Sequence, residues 1–165
     1  MILDKEVRNF AGKDETRPHL AYSHVSDNKE ITTDGHRALI RETQLMDGVY
    51  LPGTVAKCSD EANVGVIKQL GIVPTGKQLK GVEIPLLFGS IKTKNSHKMR
   101  IYLNGDCSWT FSETKDSLVS LNPYFLREIA GRKVAVALSS PDSRRGVVQI
   151  LLNETDYLLV MPLRF

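Results

Sequence analysis

The chain has 165 residues, 41% of them hydrophobic and 25% charged, with a formal net charge of +3. That is enough apolar material for a packed core in one domain, or in one domain with a large insertion, and the mild basic excess permits nucleic-acid contact without demanding it. Two widely separated cysteines, Cys58 and Cys107, give no CxxC pair, which argues against a zinc or redox motif. The N-terminal stretch Met1-Ile-Leu-Asp-Lys-Glu has no apolar h-region, so no signal peptide is expected, and no apolar run is long enough to span a bilayer. The expected compartment is reducing and cytoplasmic.

Leu3, Val7, Phe10 and Ala11 repeat at i, i+4, i+7 and i+8, with charged residues between them, so an amphipathic helix is predicted that stops at Gly12. Residues 19–25 read as a strand, Ser26-Asp-Asn-Lys as a turn and residues 30–41 as the second strand of a hairpin. Within that second strand, Asp34-Gly35 predicts a bulge or bend that re-aims His36 and Arg37. Neither a serine or cysteine nucleophile nor a second metal ligand stands at a recognisable spacing from Asp34 and His36.

The stretch from Thr43 to Ser117 is less informative. Residues 48–51 read as a short strand, and residues 60–70 as a helix with Ala62, Val66, Ile67 and Leu70 on one face. Residues 82–91, which contain Pro85 and Gly89, read as a bent or edge strand. Residues 99–103 and 108–111 form a predicted hairpin around Asn104-Gly105, with Trp109 and Phe111 as sheet cover. Lys92, Lys94, His97, Lys98 and Arg100 make a basic cluster, read first as a solvated loop and alternatively as a phosphate contact. Gly76-Lys77 lacks the glycine spacing of a phosphate loop.

Residues 118–121 read as a strand. Asn122-Pro123 supplies an N-cap and a proline at the first helical position, so a helix over 124–130 is expected, with Leu126, Ile129 and Ala130 inward and Gly131 as its end. Strands follow at 134–138, where Val134, Val136 and Leu138 alternate with alanine, at 147–152 and at 157–161. Polar turns at 139–146 and 153–156 separate them. The chain then closes on Pro162-Leu163-Arg164-Phe165, an apolar segment that predicts docking.

Three features together resemble the bacterial DNA polymerase III beta sliding clamp. They are the Val160-Met-Pro-Leu-Arg-Phe165 end, the Thr33-Asp-Gly-His-Arg37 segment after a helix and hairpin, and the Asn122-Pro-Tyr-Phe-Leu126 helix start. The segment departs from the clamp pattern right after Arg37, where Ala38-Leu39-Ile40 stands in place of Leu-Ala-Leu. The resemblance covers roughly residues 3–41 and 118–165, about half of the chain. The resemblance implies an α+β, DNA-clamp-like domain over 1–165: helix and hairpin at 2–42, insertion at 43–117 and a second half-unit at 118–165. Sliding clamps are rings of six similar domains, and the bacterial ones have three domains per chain and two chains per ring.

From the same resemblance follow a non-catalytic role as a replication processivity factor, with no cofactor and no metal, and a homo-oligomer that encircles double-stranded DNA through phosphate contacts. Lys5, Arg8, Arg127, Arg132 and Lys133 are the DNA-facing candidates. A groove for peptides of a polymerase or other clamp user is implied at Thr33, Gly35, His36 and Arg37, with Val160, Met161, Pro162, Leu163, Arg164 and Phe165. Two other readings stay open: a clamp-derived interaction module without ring or DNA binding, and an enzyme built around Asp34, His36 and the 43–117 insertion.

Overall fold

A computed structural model describes residues 2–60, 77–92, 99–138 and 147–163. The chain forms two compact units: Met1–Val73 with Leu152–Leu159, and Pro74–Leu151 with Val160–Phe165. The boundary at 73/74 falls inside the stretch that the sequence reading sets aside as an insertion. The predicted helix over 60–70 and the turn over 139–146 lie, apart from Asp60, outside the described residues.

The first unit opens with α1 (Asp4–Val7), continued as a 3-10 turn at Arg8–Phe10. Of the predicted apolar face, Val7 and Phe10 are fully buried, whereas Leu3 is 48% exposed and Ala11 half-buried, because Leu3 precedes the helix as its extended N-cap and Ala11 follows it in extended backbone. The strands are β1 (Ser23–Ser26), β2 (Lys29–Thr33), β3 (Arg37–Glu42), β4 (Gly48–Tyr50), β5 (Lys57–Ser59) and β12 (Tyr157–Val160), ordered β5-β4-β1-β2-β3-β12. β1 and β2 are joined by Asp27 and Asn28, at φ 51° and 61°. Two consecutive positive φ values make the tight turn whose twist matches paired strands, and Asp and Asn tolerate that conformation. The register sets Thr33 opposite Ala38 and Glu30 opposite Arg41. Val25, Ile31, Leu39, Ile40 and Leu158 form the buried apolar set of this sheet.

Two expectations for this unit are corrected. Residues 18–21 form a 3-10 turn, not the start of a strand. Pro18 stands at its N-terminus, where its fixed φ and missing N–H favour a helical turn over a ladder. The predicted second strand at 30–41 is two strands, β2 and β3, folded back on each other about Asp34, Gly35 and His36. Gly35 at φ 90° reverses the chain instead of bulging it.

The second unit holds β6 (Gln78–Glu83), β7 (Ile101–Asn104), β8 (Trp109–Thr110), β9 (Ser117–Leu121), β10 (Lys133–Leu138) and β11 (Val148–Leu151). They are ordered β11-β10-β6 and, in a separate three-stranded sheet, β8-β7-β9. Pro85 ends the run that began in β6, and Leu86–Ser90 becomes a 3-10 turn where a continuing strand was expected. The helix after Asn122 is also 3-10, spanning Pro123–Ile129; Asn122 caps it by accepting the Tyr124 N–H at 3.0 Å. Leu126 and Ile129 are fully buried and Gly131 follows at φ 80°. Ala130 is only half-buried.

The β7–β8 hairpin forms at the predicted place, with Cys107, at φ 68°, taking the left-handed position. Trp109 packs edge-on to Phe88 at 5.9 Å and donates its indole N–H to the Glu83 carbonyl at 2.8 Å. Phe111 is 66% exposed and covers no sheet, because β8 ends at Thr110. Ile84, Phe88, Ile101, Leu103, Leu121 and Ile150 are each buried to 1% exposure or less. Each such side chain contributes about 1.5–3 kcal/mol relative to exposure.

Candidate functional site

Thr33, Gly35, His36 and Arg37 build one tight turn in the first unit. Asp34 organises it: its Oδ1 accepts the His36 N–H at 2.8 Å and the Arg37 N–H at 3.0 Å. The Thr33 hydroxyl donates to the Arg37 carbonyl at 2.7 Å and accepts the Gly35 N–H at 3.1 Å. A side-chain acceptor for successive amides is what lets a short polar residue hold a turn. His36 is exposed, whereas Arg37 is 2% exposed. Its guanidinium lies over the Phe10 ring at 4.2 Å and donates to the Asn9 carbonyl at 3.0 Å. Arg37 thus ties the turn to the first helical segment. The Arg17 guanidinium lies where a Gly35 side chain would stand, and Arg17 pairs with Asp14 at 3.2 Å. Nothing in the sequence marks Arg17, because its approach is set by the loop over 12–17.

In the second unit, Val160 is buried and Met161 is 54% exposed, while Pro162 and Leu163 are half-buried. The segment is docked as predicted: the Leu163 N–H donates to the Ser120 carbonyl at 2.8 Å, one antiparallel bridge beside β9. Arg164 and Phe165 lie outside the described residues.

The basic candidates divide by environment. Lys5 and Arg8 of the first unit are exposed, and so is Lys133 of the second, while Arg127 and Arg132 are half-buried. Arg127 stacks on the Tyr124 ring at 3.7 Å, donates to the Tyr124 carbonyl at 2.8 Å and pairs with Glu128 at 3.1 Å. Much of its hydrogen-bonding capacity is therefore used within its own helix turn.

Sequence reasoning missed a charged cleft at the far end of β3. Arg41 donates to Asp4 Oδ1 at 2.9 Å and to Glu30 Oε2 at 2.7 Å. Burial disfavours its charge, but the bonds to Glu30 and Asp4 outweigh burial and hold the Arg41 pKa above its ordinary value. The pairing depends on strand register and on where α1 lands, neither of which a local motif records.

Among the described residues no group of three or more His, Cys, Asp or Glu is placed to hold a metal ion, and no helix is long and apolar enough to cross a membrane.

No protein-family model and no curated protein matches the chain in sequence. Its fold is that of solved DNA polymerase III beta sliding clamps. The subunit from Thermotoga maritima is 15% identical at a TM-score of 0.61, over 98% of this chain and 62% of that one. The clamp from Bartonella birtlesii, bound to griselimycin, is 16% identical at a TM-score of 0.61, over 99% of this chain and 63% of that one. The Helicobacter pylori clamp, bound to a DNA ligase peptide, is 12% identical at 0.60, over 98% and 62%. The chain spans less than two thirds of the length of these clamps, and its likeness to them is one of fold. The resemblance thus extends beyond the motif-bearing segments at either end, across the middle stretch as well.

Proposed function

We propose that the chain is a non-catalytic, clamp-like factor of DNA replication, which binds partner peptides and encircles double-stranded DNA as a ring of copies. The observation that carries this reading is the clamp fold over 98% of the chain, joined to the Thr33–Arg37 and C-terminal motifs. The proposed peptide contacts are Thr33, Gly35 and His36 on the first unit and residues 160–165 on the second. Exposed Met161 supplies an adaptable apolar surface, and Arg37 holds the turn that presents His36. Lys5, Arg8, Arg132 and Lys133 are the proposed phosphate contacts, with Arg127 contributing less. The proposed setting is the reducing cytoplasm.

The two compact units give the proposal a stoichiometry. If each unit stands for one clamp domain, three copies of a chain with two such units supply the six domains of a ring. Light scattering of the 165-residue chain tests this: a stable species at three times 18.4 kDa supports the ring. A monomer at every concentration removes it. Peptide binding is tested separately, by fluorescence anisotropy with a labelled hydrophobic clamp-binding peptide. Binding that survives deletion of residues 161–165 overturns the assignment of the tail.

The second reading, an interaction module that forms no ring and binds no DNA, draws on the charge. A net charge of only +3, with Arg127 engaged by Tyr124 and Glu128, is modest for a DNA-encircling surface. Absence of DNA affinity at low salt, together with retained peptide binding, selects this reading.

A further inference from the structure

We propose that the cleft at the C-terminal end of β3 in the first unit receives a basic side chain, lysine or arginine, presented by a partner protein. The cleft has a volume of about 590 Å³ and is walled by Asp4, Glu30, Arg41, Thr43, Leu45 and Val55, with Gln44 and Gly53-Thr54 between them. It is separate from the turn at Arg37, four residues away along β3, or about 13 Å of extended strand.

Charge gives the first argument. Asp4 and Glu30 outnumber Arg41, so the cleft carries one net negative charge in a chain of net charge +3. Glu30 gives the second. It is 3% exposed, and both of its bonds from Arg41 fall on one oxygen: Nε at 3.2 Å and NH2 at 2.7 Å reach Oε2, while Oε1 has no hydrogen-bond partner. A buried acceptor without a donor is costly, so an entering N–H donor recovers free energy there.

Asp4, 78% exposed, is the outer carboxylate that an incoming cation meets first. Oε1 is closed to solvent as the cleft stands, so a donor reaches it only if the exposed Asp4 side chain gives way. Two carboxylates beside a guanidinium suit directional N–H donors better than a bare metal ion, which needs more carboxylate or imidazole ligands than this cleft contains.

The apolar part of the wall selects a side chain over a small amine. Half-buried Leu45 and 82% exposed Val55 lie where the methylene stem of lysine or arginine passes. Met46, 76% exposed, and Leu51, 45% exposed, belong to the same stretch and offer apolar surface to the residues flanking the basic one.

The test is a titration of the ¹⁵N-labelled chain with N-acetyl-arginine amide, its lysine counterpart, and the neutral isostere N-acetyl-citrulline amide. The expected result is amide shifts at Thr43, Gln44, Thr54 and Val55 with the two cations and none with citrulline. Asp4→Asn, which leaves the Glu30–Arg41 pair in place, weakens the cation response about threefold. Glu30→Gln abolishes it, and where Glu30→Gln does not fold, Asp4→Asn alone decides. Equal shifts with citrulline, shifts scattered over the surface, an unchanged response in Asp4→Asn, or a response to magnesium chloride and not to the organic cations each overturns the proposal.

Discussion

The guanidinium of Arg37 lies 4.2 Å from the centre of the Phe10 ring, with its NH2 on the Asn9 carbonyl at 3.0 Å and its Nε 3.6 Å from Asp34. One side chain thus joins the first helical segment to the turn that carries His36. Arg37→Ala leaves a cavity on Phe10 and removes the ion-pair partner of Asp34, so the expected loss is about 2–4 kcal/mol. Arg37→Lys keeps the charge but loses the planar stack and gives an intermediate loss. Urea unfolding of both variants checks the order. Equal stability of Arg37→Ala and the parent chain would show that the buried contact contributes nothing.

A second dependence sits at Gly53. Its φ is 73°, and a Cβ there collides with the Asp4 carbonyl oxygen. Backbone conformation and space both exclude a side chain, so Gly53→Ala is expected to cost about 2–3 kcal/mol, more than either effect alone. Because the collision falls on α1, amide exchange of Val7 and Phe10 should quicken in this variant. Accelerated exchange confined to the strands of the second unit would contradict the assignment.

The legible parts of this fold were those governed by neighbours in sequence. Asp27-Asn28 marked a tight turn because those residue types tolerate positive φ, and Asn122-Pro123 marked a helix start because its cap is two residues long. The spacing of Val7 and Phe10 marked a buried face. What failed was decided by alternatives of similar local signal. Asp34-Gly35 fits a bulge or a reversal equally well, and the reversal follows from Thr33 and Asp34 closing on Arg37. Likewise, Pro123–Ile129 has the apolar pattern of a helix at either pitch. The Arg41–Glu30–Asp4 cleft was not legible, since its residues are 11 and 37 positions apart and meet only once register is fixed.

Acid stability has an identifiable contributor in the loop before β1. Asp14 Oδ1 accepts the Thr16 hydroxyl at 2.7 Å and the Thr16 N–H at 2.9 Å, and Arg17 adds a weaker attraction, so the Asp14 pKa lies below its ordinary 3.8. A carboxylate with a depressed folded pKa stabilises the fold fully above its unfolded value, and that contribution is lost as pH falls through the folded value. Asp14→Asn should therefore lower the urea midpoint at about pH 6 and converge with the parent chain near about pH 2. A constant gap across that range would mean that the acid limb belongs to other groups. The site is fully exposed, so screening makes the effect small.

The C-terminal bridge allows the tail to be loosened without touching its exposed face. Leu163→Pro removes the N–H that donates to Ser120 and costs at most about 0.5–1.5 kcal/mol, the net value of one such bond. Ser120→Ala acts on the same strand residue but keeps the carbonyl. Its hydroxyl is fully buried without a partner, so this change is expected to be neutral or to stabilise by up to about 1 kcal/mol. The pair separates tail docking from strand packing. Limited proteolysis should trim the C-terminus of Leu163→Pro faster than that of the parent chain and leave Ser120→Ala unchanged. If both variants are trimmed at the parent rate, the Leu163–Ser120 bridge is not what holds the tail.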